Sequence, residues 1–327
     1  MAARSLPVFD ATTTAEAVAD ASAERIRGKN VLVTGTSLNG LGYETARTIA
    51  KHANLVVITG HNDERLNLAA AAIRKSFPTA NVRTLNVNLA SLAAVRKAAA
   101  EVNAYAEPIH VLINNAARPW CEFSLSPDGL ESQMATGHVG PFLFTNLIVP
   151  KLLAAGSTNF TPRVVWVSSV AHALDNSGVD FAGLTRPDAA TYDTRNAYHQ
   201  VKSANVLTAG ELSRRAGGRI NSFSLNPGLV YTNMLVADLA VPFFKALGAL
   251  GEDGTPSREK FDWKTLEQGA ATTVVAAFDP RIEDFSGSYL DDCVLANEAA
   301  APHSTDPDTA KKLWEITEDI VGEKFTF

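Results

Sequence analysis

The chain has 327 residues, 46% hydrophobic and 20% charged, with 21 Gly and 15 Pro. That composition is globular and excludes collagen, wholesale disorder and a coiled-coil rod. Its 29 basic and 35 acidic side chains leave a net charge of −6, without the basic footprint of a nucleic-acid binder.

Residues 1–20 hold no apolar segment flanked by basic residues, so no signal peptide is expected. No run reaches the ~18 apolar residues of a membrane span. The longest, residues 235–250, is interrupted by Asp238, Pro242 and Lys245. Cys121 and Cys293 make no metal-ligand cluster and no disulfide framework, which points to free thiols in the cytoplasm.

Residues 1–27 read as an N-terminal extension with one helix over 11–27. β-branched runs follow at 30–34, 55–59, 82–86, 110–114, 164–168 and 220–225. Helical stretches lie between them at 43–52, 64–76, 91–105, 130–155 and 198–216. Most runs are continuously apolar, as in strands covered on both faces. The alternation predicts a parallel sheet with right-handed crossovers and helices on both sides. Residues 234–262 break the rhythm and read as an apolar helix followed by a loop; a helix over 263–278, a strand near 288–290 and a closing helix over 306–321 complete the chain. No repeat or low-complexity linker divides 28–327, so one domain is expected there.

The first strand runs into Thr34-Gly35-Thr36-Ser37-Leu38-Asn39-Gly40-Leu41-Gly42, and a helix starts at once. Glycines let backbone approach a pyrophosphate, and the helix N-terminus offers unpaired N–H groups. The spacing G-x4-G-x-G differs from the general dinucleotide fingerprint. Ser37 and Asn39 add side-chain donors, and Leu41 faces the helix–sheet packing. The second strand ends at Gly60-His61-Asn62-Asp63 with no acid before Asp63, which reads as a helix cap. A ribose diol wants a carboxylate there, and a phosphate wants donors and positive charge. His61 and Asn62 therefore favour NADP(H) over NAD(H).

Tyr198 and Lys202 stand four apart, on one face of a helix. An ammonium beside a phenol lowers its pKa and suits it to acid–base work. Ser168 and Ser169 end the fifth strand, and Asn226-Pro227-Gly228 ends the sixth, with Thr232 beyond. These motifs all sit at carboxyl ends of strands, where open α/β sheets bind ligands.

From residue 29 to about residue 292 the chain resembles the short-chain dehydrogenase/reductase family. The signals are Thr34-Gly35…Gly40-Leu41-Gly42, Asn114-Asn115-Ala116, Ser169, Tyr198…Lys202 and Asn226-Pro227-Gly228. The long gap from Ser169 to Tyr198, residues 197–205 and residues 286–293 are similar to the retinol-dehydrogenase-like branch and its fungal relatives. The resemblance implies an α/β fold: a single Rossmann-type doubly wound parallel sheet of about seven strands, with a substrate lid near 232–262. It implies that Tyr198 passes the proton, that Lys202 lowers its pKa and bonds the nicotinamide ribose, and that Ser169, rather than Ser168, orients the carbonyl. Asn115 would line the ribose, Asn88 and Leu89 the adenine, and Val230 and Thr232 the nicotinamide amide and phosphates. Homodimers, homotetramers and monomers all occur in such proteins.

Four departures stand out. The glycine loop is one residue longer than the common spacing, Ala117 replaces a glycine, Asn88 replaces an acid, and Gly137 occupies the position of the family's proton-relay Asn. The expected activity is hydride transfer between NADP(H) and a bulky apolar or aromatic carbonyl or alcohol. Its pocket walls would be Trp120, Cys121, Phe123, His172, Leu174, Met234, Leu235, Phe243 and Phe244. The rival, motivated by Gly137 and Ala117, is a non-redox isomerase, cyclase or binding protein on the same scaffold.

Overall fold

The computed structural model describes residues 6–174 and 178–327. The apolar runs become β1 (Asn30–Val33), β2 (Leu55–Gly60), β3 (Val82–Asn86), β4 (Val111–Asn114), β5 (Arg163–Val167) and β6 (Asn221–Leu225). Two short strands follow, β7 (Tyr289–Asp291) and β8 (Val294–Leu295). The single sheet has the order β3-β2-β1-β4-β5-β6-β7-β8. It is parallel from β3 to β7, and β8 turns back antiparallel on the edge. This eighth strand has only two residues, too few to leave a periodic signal.

Before the sheet lie α1 (Ala15–Ala21) and α2 (Ala23–Ile26). The crossovers are α3 (Leu41–Ala50), α4 (Asp63–Ser76), α5 (Leu92–Asn103), then α6 (Ser132–Met134), α7 (Gly140–Leu147) and α8 (Val149–Leu153). After β5 come α9 (Phe181–Thr185) and α10 (Thr194–Ala216). After β6 come α11 (Ala240–Ala246), α12 (Leu266–Phe278), α13 (Pro302–Thr305) and α14 (Pro307–Val321). Side chains alternate across the strands. Leu32 of β1 packs into a core with α5, α7, α10 and α14, whereas Val31 and Val33 pack into a second core with α1, α3, α4 and α12. Burial on both faces explains the continuously apolar strands.

Three expected helices are broken. The segment 11–27 splits at Ser22, which has left helical geometry (ψ 12°). In 130–155 a π-helical turn, Ala135–Val139, separates α6 from α7, and Ile148 interrupts before Pro150. There Gly140 runs so close to β3's exit that a Cβ would lie 2.0 Å from the Leu89 carbonyl oxygen. In 234–262 only α11 is helical, and it stops before Gly248 at φ +78°. By contrast α10 is long and sharply bounded. The Asp193 side chain accepts from Arg195 and Asn196 N–H at its start, and Gly217 ends it in the left-handed region.

Candidate active site

The winding reverses between β1 and β4, the position at which doubly wound sheets open a crevice. A cleft of about 930 Å³ lies there, within the ~300–1,000 Å³ typical of small-molecule sites. The Thr34 hydroxyl accepts from the N–H groups of Asn115 and Ala116, both at 3.0 Å. The Asn115 amide donates to the carbonyls of Thr34 (2.8 Å) and Gly35 (3.0 Å). These bonds stitch β1 to β4 under the glycine loop.

Each loop glycine has its own reason. Gly35 sits at φ +71°, and a Cβ there would lie 2.7 Å from Ala116 Cα. Gly42 lines no part of the cleft; a Cβ on it would meet Asn115 Nδ2 at 2.3 Å and the Gly35 carbonyl at 2.5 Å. Gly40 is the residue preceding α3, so the open helix terminus faces the loop. Asn39 takes φ +61°, which asparagine tolerates better than most residues. Gly35, Ser37, Asn39, Gly40 and Leu41 all line the cleft.

The cleft extends over the ends of β2 and β3, where His61, Asn62, Asn88, Leu89 and also Arg65 line it. Asn62, not Asp63, caps α4, accepting from Arg65 N–H at 2.9 Å. Asp63 is instead the first helical residue and accepts from Asn86 Nδ2. Asn88 Oδ1 accepts from Ala90 N–H at 3.0 Å. Arg65 escaped the sequence reading because it belongs to α4; its place one turn beyond His61 was the available signal.

At the other end, Tyr198 and Lys202 line the cleft from α10. Ser169 lies outside the lining, its hydroxyl accepts from Ala171 N–H at 3.2 Å, and it is near enough to the Tyr198 phenol to lower that group's pKa. Ser168, the neighbour, is buried and donates to the Lys202 carbonyl at 2.7 Å. Lys202 Nζ sits 5.3 Å from the Tyr198 ring centroid and donates to the Val167 carbonyl at 2.9 Å. Burial pushes the phenol up to about 12, offset in part by Ser169. Burial also pushes the Lys202 ammonium down to about 8. The expected lowering of the phenol by the lysine does not enter its shift; desolvation, which disfavours both charged forms, dominates the two groups.

Gly137 lies in the π-helical turn against α10. A Cβ there would lie 2.4 Å from Val201 Cγ1, so valine fills the space of the missing side chain. Thr232 and Met234 line the cleft, and Asn233 Nδ2 donates to the Leu38 carbonyl of the glycine loop at 2.7 Å. The Val230 side chain is buried against the positions of Gly269 and Leu41 rather than in the cleft.

Most expected pocket walls pack on one another or elsewhere. Trp120 stacks on Phe244 (5.6 Å) and meets Phe243 edge-on (5.1 Å), joining the loop after β4 to α11. Phe123 packs on Tyr192, Leu235 joins a separate cluster with Trp263, and Leu174 is exposed. Cys121 Sγ accepts from Arg118 Nε at 3.2 Å, and Arg118 lines the cleft, which the sequence did not suggest. Among the described residues no His, Cys, Asp or Glu cluster could hold a metal ion, and no helix is long and apolar enough to cross a membrane.

A family model described as short chain dehydrogenase matches residues 29–180. The chloroplastic short-chain dehydrogenase TIC 32 A of Brassica napus is 34% identical over 296 residues, covering 89% of this chain and 88% of that protein. The chain belongs to the short-chain dehydrogenase/reductase family. Within this oxidoreductase family it falls in the retinol-dehydrogenase-like branch: human retinol dehydrogenase 13 is 32% identical over 302 residues, 91% of this chain and 86% of that one. A solved structure of an uncharacterized protein from Mycobacterium paratuberculosis superposes with TM-score 0.68 at 25% identity, covering 93% of this chain and 98% of that one. The family's α/β architecture is the one described above.

Proposed function

We propose that the protein is an NADP(H)-dependent oxidoreductase acting on a bulky apolar or aromatic carbonyl or alcohol. One observation carries the reading: Tyr198, with Ser169 and the buried Lys202 beside it, lies at one end of a cleft whose other end is a glycine loop at a helix N-terminus.

The residues fit a dinucleotide. Gly35 lets the loop lie tight against Ala116 at the floor of the cleft, and the start of α3 supplies N–H groups for phosphate. Gly35, Ser37, Asn39, Gly40 and Leu41 would hold the pyrophosphate, Gly42 would keep Asn115 in place, and Asn88 and Leu89 would border the adenine. Asn115 and Lys202 would take the nicotinamide ribose, and Thr232 with the Val230 backbone the nicotinamide end. A bound nicotinamide supplies or accepts the hydride. His61, Asn62 and Arg65 suit a 2′-phosphate, and the acid next to Asn62, Asp63, already accepts from Asn86.

Tyr198 does the proton chemistry. Held at about 12, its phenol is protonated at neutral pH and donates to a carbonyl oxygen as that oxygen gains charge. The tyrosinate left behind is stabilised by the Ser169 hydroxyl and by Lys202, which at about 8 remains mostly charged at pH 7. In the opposite direction the same group accepts the alcohol proton. Trp120, Phe243 and Phe244 would cap an apolar substrate under the 232–262 lid, and Met234 would touch it.

The rival non-redox reading draws on one observation, the Val201 side chain filling the slot beside Gly137. The test is NADPH consumption with a panel of aromatic and branched carbonyls. Cofactor-dependent reduction supports the oxidoreductase; conversion with NADPH omitted supports the rival. A cytoplasmic location and a homodimer or homotetramer complete the proposal, the latter checked by sedimentation.

A further inference from the structure

The Ser169 turn is held by side chains far from it in sequence. Asn226, at the end of β6, is buried, and its Oδ1 accepts from Val170 N–H and from Gly228 N–H, both at 3.1 Å. Its Nδ2 donates to both carboxylate oxygens of Asp291, at 3.1 and 3.2 Å. Backbone N–H groups only donate and a carboxylate only accepts. One amide orientation therefore satisfies all four partners, and Asp291 enforces it. On the other side of the turn, the buried His172 ring meets the Ser169 carbonyl through Nδ1 at 2.6 Å. Its Nε2 accepts from Ala301 N–H at 3.2 Å, so the proton resides on Nδ1, which donates to Ser169. His303 Nε2 lies 2.9 Å from the His172 carbonyl, and Tyr289 packs on the imidazole at 4.9 Å.

We infer that Asp291 and His172 are positioning residues that clamp the Ser169 turn between the end of β6 and the segment after β7, and so hold the Ser169 hydroxyl against Tyr198. Neither need touch substrate. Asp291 acts through the Asn226 amide on the N–H that follows Ser169, and through the same oxygen on Gly228. His172 acts on the carbonyl of Ser169 itself. The segment from Asp291 to His303 thus contributes to the site although it lines none of the cleft. The inference rests on the reading that Ser169 serves Tyr198.

The test needs no substrate. In protein labelled at tyrosine 13Cζ, the Tyr198 resonance is identified by its loss in Tyr198→Phe. Ser169→Ala defines its position without the serine hydroxyl. Asp291→Ala and His172→Ala are expected to move it at least half as far in the same direction. Asp291→Asn, which keeps an acceptor oxygen, and His172→Gln, which keeps a donor and an acceptor, are expected to restore it. Asp306→Ala removes the cap of α14, disturbs the same tail and should leave the resonance in place. If either alanine variant fails to fold, the other carries the test. The inference is overturned if the alanine variants keep the wild-type resonance while Ser169→Ala moves it, or if Asp306→Ala moves it equally. An unmoved resonance in Ser169→Ala itself contradicts the Ser169–Tyr198 reading, and the clamp falls with it.

Discussion

The two ends of the cleft are held in different ways. At the glycine end the fit is made by backbone and by missing side chains: Gly35 and Gly42 let β1 and β4 approach, and Asn115 ties the loop down from close range. At the Tyr198 end it is made by side chains from distant segments: His172 beyond β5, Lys202 on α10, Asn226 beyond β6 and Asp291 at the end of β7. The first arrangement is stiff and intolerant of added atoms. The second places ionisable groups in a dry setting and must hold them against desolvation. Damage at one end should therefore look different from damage at the other.

The largest expected effect is at the catalytic end. Tyr198→Phe should lower redox turnover by roughly 100-fold or more while NADPH affinity stays within about twofold. Steady-state assays and calorimetry check this, and an active Phe variant would break the comparison. Gly42→Ala should do the reverse, costing about 1–3 kcal/mol of stability by overpacking and weakening cofactor affinity with it, as read by melting and calorimetry.

Gly137 and Val201 sharpen the contrast, because here the catalytic end also depends on a missing side chain. Gly137→Asn should lose about 1–3 kcal/mol in urea unfolding. Val201→Ala, which empties the slot, should recover part of that loss in the double variant. Additive losses would show that the two positions are not in conflict.

The smallest effect concerns the buried ammonium. Lys202 is held at about 8, below its ordinary 10.5. Between those values the unfolded chain binds more protons than the folded one, so this group adds stability as pH rises through that window. Lys202→Met should accordingly melt higher than wild type at pH 7, and its advantage should shrink from pH 8 towards 10.5. A growing advantage would contradict the burial argument.

The sequence revealed what is local. Strands and crossovers followed from apolar runs, and the glycine loop from its place between β1 and α3. Tyr198 and Lys202 followed from helical spacing. Less legible was whatever depends on contacts between distant segments. The breaks around Gly137 and Gly140 come from close packing against Val201 and Leu89. Asp63 lost the capping role to Asn62 because the helix begins one residue earlier. His172, read as a pocket wall, is turned away to bridge Ser169 and Ala301. The pKa balance at Tyr198 was also hidden, since spacing shows a neighbouring charge but not how dry the site is.

The central claim is that one cleft takes a nicotinamide dinucleotide with its 2′-phosphate at His61, Asn62 and Arg65. Parallel calorimetric titration with NADPH, NADP, NADH and NAD tests it most directly. The account predicts that the phosphorylated pair binds at least ~10-fold more tightly, the scale of one hydrogen bond to a charged group. Equal affinity across the four would contradict the phosphate site, and no binding by any of them would contradict the oxidoreductase reading itself.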